Sequence, residues 1–172
     1  AMVEAAHVGI RGRDEHRWVR AVSADLANLG AAHAWLVSSG DIDGALRFVP
    51  ALHDYAWLRM RAEIGEWAAR SVSMPGARSH QKWADACAMA SQMAWARGAF
   101  VEAEHHLTDA RGTGSSSFLV EQTAALIAGF RGDIEAHLDG FERCRRIASD
   151  NGDHYNLAIT TGQVAYSRAL LR

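Results

Sequence analysis

ADACAMASQMAWARGAF (residues 84–100) and FLVEQTAALIAGFRGDI (residues 118–134) repeat one pattern 34 residues apart. Gly98-Ala99-Phe100 is echoed by Gly132-Asp133-Ile134. Seven residues before each glycine stands a small residue, Ser91 and then Ala125; twelve after it stand Ala110 and Cys144. A period of that length with small residues at those offsets is the signature of a tetratricopeptide-type helical hairpin. The small residues let two antiparallel helices approach, and glycine serves the tight turn between them. The expected fold is all-α, with antiparallel hairpins stacked as a right-handed, TPR-like solenoid of about eight helices.

The totals agree. The chain has 172 residues, enough for one domain with a proper core, and 49% hydrophobic with 22% charged residues is ordinary globular composition. Only Pro50 and Pro75 interrupt it, and alanine is abundant. A net charge of −2 argues against a nucleic-acid surface. Cys87 and Cys144 form no CxxC pair and read as buried reduced thiols. No apolar run is long enough for a membrane span, and Ala1-Met2 opens no signal peptide, so a cytoplasmic setting is expected.

Working outward, residues 1–13 carry little pattern and are expected to be partly ordered, a start that fits a cloning scar. The repeat domain is expected over 14–172, as a fragment of a longer chain. Asp14 should cap a helix over 14–38, with Gly40 as its stop. A mostly buried helix over 42–60 should kink at Pro50. A third helix, 62–73, holds Gly65, which needs close approach of the second. Helices over 78–97 and 100–110 make one hairpin, and 118–130 with 133–149 the next, joined by the Gly/Ser-rich stretch 112–117. Asp153 should cap a last helix over 154–172 whose apolar residues find no following partner.

Asp25-Leu26-Ala27-Asn28-Leu29, then Ala31-Ala32-His33-Ala34-Trp35 and Gly40-Asp41, resemble the helix opening the repeat region of actinobacterial signal-transduction ATPase regulators. Ala45-Leu46-Arg47-Phe48 with Leu52, Tyr55 and Trp57 is similar to the next helix there. Glu66-Trp67-Ala68-Ala69-Arg70 and Pro75-Gly76-Ala77 resemble its sequel. The likeness covers residues 17–112; beyond that it is generic repeat. Such proteins include LuxR-type and antibiotic-regulatory transcription factors and adenylate-cyclase-linked relatives. The resemblance implies a non-catalytic regulatory arm, the ATPase, cyclase or DNA-binding modules lying elsewhere. Two departures stand out: Gly30 replaces a frequent arginine, and Met60-Arg61 replaces an expected glycine turn.

No residue set supports catalysis, a cofactor or a metal. His105 and His106 are adjacent, so a regular helix points them about 100° apart and they cannot share one ion. Asp150-Asn151-Gly152-Asp153 lacks the spacing of a calcium loop and reads as a turn with a cap. The stretch 112–117 has no GK[ST], and no Ser, Cys or Thr sits beside a base. Arg143, Arg145 and Arg146 read as a solvated face. The six tryptophans all precede residue 100, which suggests a heavy core in the first half.

Stacked hairpins leave a concave face formed by the first helix of each pair. The 34-residue register puts Asp85, Gln92 and Trp95 there, then Gln122 and Leu126, then Asn156, Gln163 and Tyr166. The expected partner is a protein or peptide, or another domain of the same polypeptide, with no nucleic acid and no membrane. A homodimer through the exposed last helix is a further expectation. The alternative is a small-molecule effector lodged between helices and controlling an attached module.

Overall fold

The computed structural model describes residues 2–172, and among them every regular element is helical. In chain order these are α1 (Met2–Ile10), α2 (Glu15–Ser38), α3 (Ile42–Phe48), α4 (His53–Arg59), α5 (Ala62–Val72), α6 (Trp83–Ala96), α7 (Phe100–Gly112), α8 (Phe118–Phe130), α9 (Ile134–Asp150) and α10 (His154–Leu170). Short 3-10 turns at Pro50–Leu52 and Ala77–Ser79 complete the set.

Residues 2–10 form a helix where the sequence pattern suggested only partial order. Val3, Ala6 and Ile10 recur at helical spacing and are buried against α2, α4 and the Pro50 turn. Nine residues are too few to hold a helix in water, so tertiary packing supplies what local sequence cannot. Gly9 makes this possible: a Cβ there would lie 2.0 Å from the Trp18 ring.

Other boundaries follow local chemistry. Asp41, Ser117, Asp133 and Asp153 cap α3, α8, α9 and α10 through side-chain oxygens that accept the N–H of Gly44, Val120, Ala136 and Asn156. Asp14 precedes α2 without such a bond. The rod over 42–60 does not merely kink. Pro50, lacking an N–H, opens a 3-10 turn that divides it into α3 and α4. The helix expected from residue 78 begins at Trp83, because the Ala77–Ser79 turn ends in an extended His80.

Hairpin turns use left-handed glycines at Gly98, Gly132 and Gly152, with φ of 82°, 84° and 64°. The turn between α4 and α5 demands the same conformation of Met60, at φ 50°. A side chain there costs about 1–2 kcal/mol. Met60 is 59% exposed, so it recovers little by burial. Met60→Gly should therefore raise stability by about 1 kcal/mol in urea unfolding. An unchanged or lower midpoint would show that its side chain compensates locally.

The core centres on α6, which packs on α5, α7 and α8 and buries almost its whole length. Its alanines allow neighbours on three sides. Gly65 is needed for α6 rather than for the second helix, since a Cβ there would fall 2.3 Å from Met93 Cβ. Ser91 is also close-packed, its hydroxyl donating to the Ala103 carbonyl of α7 at 2.7 Å. Between α8 and α9, a Cβ on Gly140 would sit 2.6 Å from Ala125 Cβ. The apolar interior forms a large cluster spanning α1 to α8 and a small one of Ala125, Phe141, Cys144 and Val164. Cys87 and Cys144 are free and buried, and burial pushes both thiols up to about 12. The tryptophans do not act as one core block. Trp67 and Trp83 are buried, whereas Trp35 is 65% exposed.

A polar groove at the starts of three helices

The N-terminal ends of α6, α8 and α10 converge on a cavity of about 580 Å³. Asp85, Gln122 and Asn156 line it, one from each helix. Gln92 lies one layer behind, its Oε1 accepting from Nε2 of His53, itself a lining residue, at 2.7 Å. Of these four, Gln122 and Asn156 stand 34 residues apart, and the packing brings Asp85 to the same cavity with Gln92 behind it.

Trp95, Leu126, Gln163 and Tyr166 are not brought to this cavity. Helices rise about 1.5 Å per residue, so Trp95 stands some 15 Å along α6 from Asp85. Leu126 packs against the small apolar cluster instead. Tyr166 lies far along α10 and is 58% exposed. Gln163 is half-buried on the same helix, and its carbonyl accepts from Ser167.

Trp95 belongs to a separate apolar surface. It stacks on Phe130 at 6.2 Å with planes 8° apart, and it tilts against Phe100 at 4.5 Å. The Arg131 guanidinium covers its ring at 5.4 Å. Met60, Phe100 and Phe130 around it are each more than half exposed.

The groove's charges pair within the protein. Asp85 receives Lys82 Nζ at 3.0 Å and the Ser117 hydroxyl at 2.5 Å. Arg11, just past α1, donates Nε to Asp54 Oδ2 at 2.6 Å and Nη1 to Asp153 Oδ2 at 3.2 Å. Burial alone would push the Asp54 carboxyl up, but His53 and Arg11 outweigh it and hold it well below the usual range. Burial, with Arg11 nearby, lowers the His7 imidazole. Gln92 Nε2 and Gln122 Oε1 are buried with no hydrogen-bond partner. The orphaned Gln122 acceptor on the cavity wall marks where an outside group would be welcome, while the Gln92 donor lies a layer deeper.

Arg11, His53, Asp54 and Asp153 escaped the sequence reading as site residues. Asp54 offered the one available signal, a carboxylate in an otherwise apolar helical run. Nothing local could connect it to Arg11 or to Asp153.

Among the described residues no group of three or more His, Cys, Asp or Glu could hold a metal ion, and no helix is long and apolar enough to cross a membrane. Comparison with known protein families, with curated proteins and with solved structures finds no match for this chain.

Proposed function

We propose that this chain is a non-catalytic, TPR-like interaction arm of a larger bacterial signalling or transcriptional regulator, working in the cytoplasm. Its groove at the starts of α6, α8 and α10 takes a segment of a partner protein or of another domain of the same polypeptide. One observation carries this reading. Asp85, Gln122 and Asn156 come from three successive first helices and meet at one cavity, where the Gln122 carbonyl is left without a partner. Amides in such a position suit the N–H and C=O groups of a bound backbone. The resemblance of residues 25–41 to the regulators' repeat region supports the same assignment. The outer stripe of α10, Ile159, Tyr166 and Leu170, is where a second copy or a further hairpin would pack.

A second reading, an effector sensor, is favoured by the cavity's size, which lies in the range of metabolite sites. Selection of a random peptide library on the full chain separates the two. Selected peptides should bind Gln122→Ala about tenfold more weakly at unchanged melting temperature, as loss of a specific polar contact predicts. Failure to select any peptide, alongside clear thermal stabilisation by one metabolite, would replace the interaction reading with the sensor.

A further inference from the structure

We propose that the groove recognises a lysine side chain of its partner segment, taking the ammonium among the oxygens of Asp85, Gln122 and Asn156. This rests on the groove reading above and names the chemistry that the bound segment must carry.

The cations of the wall are already engaged. Lys82 Nζ donates to Asp85, as does the Ser117 hydroxyl. Arg11 donates to Asp54 and Asp153, and Arg47 to Glu4 and Asp43. Asn156 commits its Nδ2 to Asp153 Oδ2 at 2.7 Å.

Acceptors are what the wall has to spare. A carboxylate only accepts, so the bond to Asp153 settles which way the Asn156 amide faces, with Nδ2 toward Asp153 and Oδ1 away from it. No donor among the described residues reaches that Oδ1, although Asn156 is only 5% exposed. Gln122 is 9% exposed, and its Oε1 is buried with no partner. Each Asp85 oxygen accepts one donor, which leaves lone pairs over. Oxygens from α6, α8 and α10 therefore line one cavity, and the two amide oxygens are unpaired.

A ligand that brings donors removes the cost of those buried acceptors, whereas an anion would add to it. The Asp85 carboxylate makes a charged donor the stronger match. An ammonium offers three donors radiating from one atom, while a guanidinium is a planar fork suited to paired carboxylate oxygens. Phe118, Leu119 and Ile147 of the same lining give a lysine stem an apolar surface. Lys82 is the competitor in place: its half-exposed ammonium shares Asp85, so its removal favours an incoming one.

The test is an NMR titration of the isotope-labelled full chain with end-blocked alanine pentapeptides that differ only at the central residue. The lysine peptide should shift the side-chain amide signals of Gln122 and Asn156. Norleucine keeps the stem without the charge and should bind about tenfold more weakly, with glutamate weaker still. Lys82→Ala should tighten the lysine peptide about threefold and Gln122→Glu about tenfold, since each makes the wall more negative. Equal binding of lysine and norleucine, a preference for glutamate, or no shift with millimolar lysine peptide overturns the proposal. Arginine bound more tightly than lysine overturns the choice of an ammonium, and n-butylamine bound more tightly than the lysine peptide gives the site to a free amine instead. Should Gln122→Glu not fold, the surface change Lys82→Ala decides, and its failure to tighten the lysine peptide overturns the proposal. Library peptides that need Gln122 yet lack lysine would keep the groove reading and overturn this one.

Discussion

Between pH 7 and pH 4 the folded chain should lose about 3 kcal/mol of stability through His33 alone. His33 is 1% exposed, stacked on Trp67 at 5.6 Å, with Nε2 2.8 Å from the Ser71 hydroxyl. Its Nδ1 is buried with no partner, so a second proton would have nowhere to donate. Burial, helped by the Arg70 charge, lowers its pKa from 6.5 to about 4. The unfolded imidazole therefore takes its proton first as pH falls. The stabilisation is complete above 6.5, is lost progressively toward 4, and falls no further below that. Burial shifts His7, His106 and His137 the same way, so they steepen the loss. Asp54 acts outside this window, since its lowered carboxyl loses its advantage only as pH falls through the acid range below 3.8. Urea midpoints at pH 7, 5.5 and 4 measure the effect. His33→Gln should flatten the slope by about one proton. A variant with the parent's slope would place the acid sensitivity elsewhere.

Phe141→Ala should cost about 4 kcal/mol, and the damage should be confined to the C-terminal helices. Phe141 is 1% exposed and is the one large side chain among the four buried members of the small apolar cluster. That cluster joins α8, α9 and α10, whereas α6 and its neighbours draw on the large one. Without the ring, Ala125, Cys144 and Val164 have little left to close upon. Hydrogen exchange should show α9 and α10 opening early while α5 and α6 remain protected. Uniform acceleration across all helices would mean the two clusters unfold as one cooperative unit.

What was legible in the sequence was what depends on nearest neighbours along the chain. Glycine turns at Gly98, Gly132 and Gly152 and the cap at Asp153 were readable because a backbone conformation or an orphaned N–H is settled within four residues. The meeting of Gln122 and Asn156 was readable because they stand 34 residues apart, at one position of the repeat. Trp95 and Leu126 failed as groove residues because a register gives the side of a helix but not the height along its axis at which a cavity opens. The first helix was missed because its nine residues have no stability of their own to advertise.

The sequence by itself determined an all-helical chain, the positions of its turns and the small residues that let helices close. These rest on periodicity, capping and φ preference, all short-ranged. Only the tertiary structure decided that residues 2–10 are a helix, that α6 is the centre, and that Arg11 links Asp54 to Asp153. Each of those depends on groups distant in sequence meeting in space, and the free energy that fixes them exists only after the helices have packed.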